Sequence, residues 1–217
     1  KSRQLLNHLI DESLEIKFEP ICRIDSINEE IILLLKNAGC YSIQFGVESA
    51  DDNLLNQIMH KNITVKQIRN AINLCNKHGI LPGGSFLLGL PGETVKSLLK
   101  TTLFVVTTKI SATGVTFPVP FPGTELYDYT KKKLDYTDEE MLTGDELLGY
   151  DVFARDSTKK VEFLKKFNFC DVPIRVLILF HRIISLVLTF NFYVRHNGYI
   201  RTSLKMLRKL LFKWKRN

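Results

Sequence analysis

Apolar positions over the first 133 residues switch repeatedly between a helical and a strand period. Gln4–Leu14 carries Leu5, Leu6, Leu9, Ile10 and Leu14 on one helical stripe, and Ile16–Ile24 then reads as a strand. Ser26 is a candidate N-cap for a helix over Ser26–Lys36, with Glu29 and Glu30 in its first turn, and Ala38-Gly39 stops it. Tyr41–Val47 alternates as a short buried strand, and Asp51–Met59 reads as a short helix. Thr64 caps a longer helix, Val65–His78, that ends at Gly79. Leu81–Leu90 is the next strand. Thr94–Lys109 reads as a helix with Leu98, Leu99, Thr102, Val105 and Val106 turned inward. Ala112–Pro118 is a further strand, followed by the proline-rich turn Pro118–Pro122 and a helix over Gly123–Lys133.

Strands alternating with helices of this length predict an α/β fold with a parallel sheet and right-handed crossovers. Four such units are about half of an eight-stranded barrel, so the expected fold class is a partial (β/α) TIM-like barrel followed by an α-helical C-terminal extension. Three segments are expected: 1–133 as the barrel portion, 134–171 as an irregular or helical connection, and 172–217 as a basic helical extension. Within the last, Val176–Phe180 and Ile183–Val194 are apolar runs interrupted by His181 and Arg182, and the longer holds 12 residues, short of the roughly 20 needed to cross a bilayer. After Gly198, Ile200, Leu204, Leu207, Leu211 and Trp214 fall on one helical face, with basic residues on the others.

Charge sharpens this division. The 217 residues carry 30 Lys plus Arg and 23 Asp plus Glu, a net charge of +7. Ten of the basic residues and none of the acids fall in 172–217, which leaves 20 against 23, or −3, for residues 1–171. The basic character belongs to the tail, and it gives no ground for reading the whole chain as a nucleic-acid binder. A hydrophobic fraction of 45% excludes a mainly disordered chain. Cys22, Cys40, Cys75 and Cys170 form no CxxC or CxxxC pair and read as buried thiols of a reducing, cytoplasmic setting. The five histidines show no metal-ligand spacing, so no metal ligand is assigned. The chain starts at Lys1 on a helix with no apolar leader, and is expected to be the C-terminal part of something longer.

Ligands of parallel α/β folds bind at the carboxyl ends of the strands. Those ends carry Arg23 and Asp25, then Glu48, then the turn Gly89-Leu90-Pro91-Gly92, then Pro118 and its turn. An Arg, two acids and exposed turn backbone suit a zwitterionic or polyhydroxylated ligand. Structural alternatives stand beside each: Arg23 and Asp25 as a rim ion pair, Glu48 as the cap of the helix near Asp51, and the glycine-proline segment as a plain strand-to-helix turn.

Four segments together resemble a known family. CRID (Cys22–Asp25) resembles the fourth-strand "RVD" segment of radical S-adenosylmethionine (radical SAM) barrels. FGVES within Leu33–Thr64 resembles their fifth-strand "GIES", followed by a short helix and a basic loop. GGSFLLGLPGET (Gly83–Thr94) resembles the sixth-strand "GLPGET" turn, and FPVPFPGTELY (Phe117–Tyr127) the seventh-strand "PYPGT" turn. The match covers about Ile16–Lys133 and is similar to the version found behind cobalamin-binding domains.

The resemblance implies an enzyme in its full-length form, with S-adenosylmethionine (SAM) and a 4Fe-4S cluster as cofactors and cobalamin as a further one if such a domain lies upstream. It implies SAM cleavage to a 5′-deoxyadenosyl radical, for hydrogen abstraction or methyl transfer on an unknown substrate, and an electron donor such as flavodoxin or ferredoxin. It places Glu48 close to SAM, Lys61 at the methionine carboxylate, Ser85 at the ribose, backbone near Leu87 and Leu88 and the Pro118 turn at the adenine edge, and Arg23 on the carboxylate or ribose side. The family's C-x3-C-x2-C cluster motif is not in these 217 residues, so the cluster ligands are expected upstream and the chain alone is expected to be inactive. Catalytic residues are not assigned. The alternatives are a cluster-free SAM-binding or scaffold module, or a protein that meets the membrane surface through 198–217.

Overall fold

The computed structural model describes residues 2–135, 164–165, 167 and 169–197. Among these, the helices are α1 (Ser2–Asp11), α2 (Glu29–Asn37), α3 (Val65–Lys77), α4 (Val95–Thr107), α5 (Glu125–Leu134) and α6 (Ile174–Asn197). The strands are β1 (Ile21–Cys22), β2 (Ser42–Glu48), β3 (Leu81–Leu87) and β4 (Ser111–Thr116), hydrogen-bonded in the order β1-β2-β3-β4 and all parallel. This is the α/β half-barrel with a helical C-terminal part that the alternation predicts.

Local chemistry sets the boundaries. The first predicted strand shrinks to two residues plus a bridge between Phe18 and Cys40. Ser26 is not the cap of α2: its hydroxyl donates to the Arg23 carbonyl inside a 3-10 turn (Ile24–Ser26), and the Asn28 side chain accepts the Ile31 amide instead. Thr64 does cap α3, through a reciprocal capping box with Gln67. The segment expected as the helix Asp51–Met59 contains a π-helical turn, Leu54–Ile58.

One face of the sheet carries Ile43, Phe45, Val47 and Phe86, each almost fully buried together with Ile68 and Ile72 of α3 and Leu98, Phe104 and Val105 of α4. α4 differs from expectation: Leu99 and Val106 point outward at 55% and 56% exposure, and Thr101, not Thr102, is buried. Thr101 Oγ1 accepts the Ala50 amide at 3.0 Å, so a polar residue belongs to the inner face. The opposite face presents Gln44, Gly46, Glu48, Ser85, Leu87, Gly114 and Thr116, all half-buried.

The two apolar runs around His181-Arg182 form one 24-residue helix, α6. Its segment Ile174–Phe192, with mean hydropathy 1.7, is long and apolar enough to cross a membrane by length and composition, contrary to the reading of two short runs. Its packing is that of a core helix on one side. Leu177, Phe180, Ile184 and Leu188 are buried, and α6 lies against β4 and α4. The open edge of β4 is where parallel sheets most need cover. There the Val115 carbonyl accepts from His181 Nε2 at 2.9 Å, which fixes the proton on that nitrogen, and the Ile110 carbonyl accepts from Asn191 Nδ2 at 2.9 Å. His181 also stacks on Phe117. The predicted basic helix after Gly198 and most of the 134–171 connection lie outside the described residues.

Gly39 ends α2 with φ +98°, and a Cβ there would sit 2.0 Å from the Ile16 carbonyl oxygen. Since backbone cannot yield as a side-chain tip does, Gly39→Ala is expected to cost about 2 kcal/mol or more in urea unfolding.

Candidate functional site

The carboxyl ends of β1 and β2 enclose a cavity of about 250 Å³ lined by Ile21 to Asp25, Gly46, Lys61 and Ile63. Two ion pairs stand at it. Lys61 Nζ lies 3.2 Å from Glu48 Oε1 and donates to the Gly46 carbonyl, with both side chains largely buried. Arg23 grips Asp25 with two parallel hydrogen bonds of 3.0 and 2.7 Å at the exposed mouth. That fork holds the Asp25 carboxyl below the usual carboxylate range and raises the guanidinium.

The backbone that presents these groups is unusual. Glu48 has φ +63°, and His60 and Asn62, on either side of Lys61, have φ +49° and +54°. Left-handed non-glycine residues persist only where their surroundings fix them. Here the fixing contacts are visible. The Asn56 amide side chain donates to the Ile63 carbonyl at 2.9 Å and accepts the Ile63 amide at 3.1 Å, which holds the far end of the Lys61 loop. Asp51, one turn beyond Glu48, binds Lys100 at 2.6 Å and accepts the Asn53 amide at 3.0 Å. Burial pushes the Asp51 carboxyl up, and the Lys100 ammonium and these amides outweigh it, leaving the group below its ordinary range. Glu48 does not cap the helix near Asp51; Asp51 itself takes that role.

A Cβ on Gly46 would lie 2.6 Å from Glu48 Oε1 and 3.2 Å from Lys61 Nζ, so glycine is what lets the pair lie across the strand. Gly46 is in register with Ser85 of β3, which sets Ser85 beside the pair on the same half-buried face, with Leu87 two positions on. Leu88 and Pro118 are elsewhere. Leu88 is fully buried with its amide donated to the Thr116 carbonyl at 2.9 Å, and Pro118 is buried. Of the predicted site residues, Arg23 and Lys61 line the cavity; Glu48 joins it through its pair with Lys61, Ser85 and Leu87 lie on the same sheet face, and Leu88 and Pro118 are buried elsewhere.

Glu93 was not singled out by sequence reasoning, although it sits inside the Gly83–Thr94 segment. It is 2% exposed; Oε2 accepts the Gly89 amide, and Oε1 is buried with no partner among the described residues. It closes the turn after β3, whose Gly89 and Gly92 have φ +85° and +74°. Burial raises its carboxyl to about 7, against the amides of Gly89 and Leu90. Elsewhere burial pushes the Cys40 thiol up to about 11 and raises Cys22 and Cys170, so these are inert, protonated thiols; the four cysteines form no disulfide. Among the described residues no three His, Cys, Asp or Glu side chains converge as metal ligands.

Comparison with known proteins adds a family. The Radical SAM superfamily model matches residues 3–105, which contain every predicted site residue except Pro118. The chain is 33% identical over 118 residues to an uncharacterized methyltransferase, PH0819, of Pyrococcus horikoshii, covering 54% of this chain and 26% of that protein. It is also 33% identical over 109 residues to a putative methylthiotransferase, MJ0865, of Methanocaldococcus jannaschii, covering 50% of this chain and 24% of that one. The chain therefore spans about a quarter of the length of these curated relatives. The structure of OxsB, a cobalamin-dependent S-adenosylmethionine radical enzyme, superposes with a TM-score of 0.50 at 14% identity, over 97% of this chain and 39% of that chain. That likeness concerns the fold.

Between about pH 4.5 and pH 7 folded Glu93 keeps a proton that the unfolded chain has released, so its contribution is fully present below pH 4.5 and is lost as the pH rises through 7. Glu93→Gln should therefore flatten the pH dependence of stability. Wild type is expected to lose about 2 kcal/mol relative to the variant between pH 5 and pH 8 in urea unfolding.

Proposed function

We propose, from the match of the Radical SAM superfamily model to residues 3–105, that the chain supplies the SAM-holding half of a radical SAM barrel enzyme. The observation that carries this reading is one cavity lined by Arg23, Asp25 and Lys61, with Glu48 paired to Lys61 beside it. The methionine end of SAM is a zwitterion, with an ammonium that suits Glu48 or Asp25 and a carboxylate that suits Lys61 or Arg23. Binding at Glu48 and Lys61 exchanges one internal pair for two external ones, so neither of these buried charges is left alone, while the exposed Arg23–Asp25 pair can stay intact. Lys61 offers a point charge where an arginine would offer a fork, and the carbonyl of Gly46 keeps it aimed. Ser85, in register with Gly46 on the next strand, would meet the ribose in this arrangement, with Leu87 two positions on along the same face. In this reading 1–133 is the barrel portion, 134–171 the connection and 172–217 a basic extension.

SAM supplies a sulfonium whose carbon–sulfur bond is cleaved by one electron. The residues here bind and orient its methionine end and keep water from it. They do not fit a 4Fe-4S cluster: Cys40, Cys75 and Cys170 are buried, Cys22 is half-buried, and the sequence holds no C-x3-C-x2-C. The cluster, its reductant of flavodoxin or ferredoxin type, the substrate and any cobalamin therefore belong to the whole protein. Relatives named as methyltransferases favour methyl transfer as its outcome.

The decisive experiment is anaerobic reconstitution of the protein encoded by the complete reading frame, followed by reduction with SAM. Brown cluster absorbance and release of 5′-deoxyadenosine are expected; a protein that binds SAM with neither signal is the cluster-free module instead. In calorimetric titration, Lys61→Ala should weaken SAM binding at least about tenfold while leaving adenosine binding unchanged, and Lys61→Arg should restore it. Equal SAM affinity in wild type and Lys61→Ala would remove the proposed carboxylate contact.

A further inference from the structure

The turn after β3 holds a buried acid that SAM binding does not use. Glu93 is 2% exposed, its Oε2 accepts the Gly89 amide, and its Oε1 is buried with no partner among the described residues. A buried carboxylate is costly unless donors or a cation surround both oxygens, so these surroundings favour the neutral acid. Its ionisable neighbours do not change that. Asp51, in the segment after β2, faces it with a negative charge, and the Cys170 thiol ahead of α6 is neutral. Lys100 of α4 is engaged by Asp51 at 2.6 Å. Burial pushes the Glu93 carboxyl up to about 7 against the Gly89 and Leu90 amides, with the Asp51 charge adding to the rise.

What Glu93 closes bears on Lys61. The Glu93 amide donates to the Leu90 carbonyl at 3.0 Å, and the turn so formed lies against the π-helical turn Leu54–Ile58. There Ile58 Cδ1 is 3.9 Å from where a Cβ on Gly92 would stand. Asp51 grips the other end of the same π-helical turn: its Oδ1 accepts the Asn53 amide and its backbone carbonyl the Leu55 amide, both at 3.0 Å. Lys61 hangs from this turn by its own amide, donated to the Leu55 carbonyl at 2.9 Å, and from there reaches Glu48 and the Gly46 carbonyl. Glu93 therefore acts on the support of Lys61 at both ends, by packing through Gly92 and Ile58 and by charge through Asp51.

An ionised Glu93 has two places to go, and both loosen that support. Kept inside, it sets a like charge against Asp51 and competes for Lys100. Turned out to solvent, it releases the Gly89 amide and opens a turn whose Gly89 and Gly92 stand at φ +85° and +74°. We propose that Glu93 is a positioning residue whose protonated form locks the turn after β3 onto the π-helical turn and so holds Lys61 in place, and that loss of this proton frees Lys61. The effect on ligand rests on the reading of Lys61 as the SAM carboxylate contact; the coupling of Glu93 to the π-helical turn stands without it.

Hydrogen exchange over residues 54–63, in the ligand-free protein encoded by the complete reading frame and corrected for the intrinsic pH dependence of exchange, tests the coupling. Wild type is expected to lose protection at least about fivefold between about pH 5.5 and about pH 8.5, with its midpoint near 7, because the lock is present below the raised value and is lost as the pH rises through it. Glu93→Gln has the same shape, stays neutral at every pH, and should keep its protection throughout. Calorimetric titration with SAM should show wild-type affinity falling about fivefold over the same range relative to Glu93→Gln, since the ligand's own ammonium titrates equally against both. A purely structural role would not move the affinity of a protein that stays folded. A flat wild-type exchange profile overturns the proposal whether or not the variant folds, and so does an equal step in wild type and Glu93→Gln, which assigns the titration to another group. An exchange step that Glu93→Gln abolishes, with no accompanying change in SAM affinity, upholds the positioning of Lys61 and counts against its contact with SAM.

Discussion

A parallel sheet has to be covered on both faces, because its side chains are mostly apolar, and guarded at its edges, because unpaired N–H and C=O groups there template further strand pairing. This chain answers that constraint unevenly. α2, α3 and α4 cover one face with a continuous apolar layer. The other face, with Gln44, Gly46, Glu48, Ser85 and Gly114, is polar and glycine-rich where a second helical layer would demand bulk. A barrel interior tolerates that composition because the sheet curves round on itself and a ligand fills the end. The same absence of side-chain bulk at Gly46 lets Lys61 reach over the strand to Glu48.

The cavity therefore inherits its geometry from the sheet. β2 ends with a shift of register between Gly46 and Glu48, and Glu48 takes the left-handed conformation at that irregularity. The strain is held by contacts on the far side of the strand: Ser49 and Ala50 meet Thr101 of α4, and Asp51 meets Lys100. One helix thus carries hydrophobic packing through Leu98 and Val105 and polar restraint of the site through Lys100 and Thr101. The hydroxyl of Thr101 belongs to the inner face because it satisfies the Ala50 amide, a buried donor that would otherwise be costly to leave unpaired.

This division of labour explains what could be read from the sequence. Element type and order were legible because period and stop signals agree: Thr64 with its glutamine three residues on, Gly39 and Gly79 at positive φ, and strands of strict alternation. The facing of α4 was not, since Leu98, Leu99, Leu103, Phe104, Val105 and Val106 spread apolar side chains over both of its sides and the buried polar residue, Thr101, does not mark the outer one. The start of α2 was misplaced because Ser26 and Asn28 are both good caps, and only the 3-10 turn that occupies the Ser26 hydroxyl decides between them. At the site, glycine turns and rim residues were visible as motifs. The Glu48–Lys61 pair was not visible as a pair, since it joins residues 13 apart through a π-helical turn that no local spacing rule encodes. Glu93 was hidden for a different reason: an acid in a turn sequence reads as solvated, and only the fold shows that Leu90 and Gly92 fold the carboxylate inward onto the Gly89 amide.

The C-terminal helix completes the logic of the sheet. β4 has no neighbour beyond it among the described residues, and α6 replaces the missing strand with side chains, His181 and Asn191 donating to carbonyls that a fifth strand would otherwise have engaged. A helix used this way needs bulk on its inner side, supplied by Leu177, Phe180, Ile184 and Leu188, and needs nothing apolar on its outer side. Leu179, Ile183 and Leu186 are therefore unexplained by edge closure. So are Leu99 and Leu103 on the adjoining helix, since sheet packing uses the other side of α4.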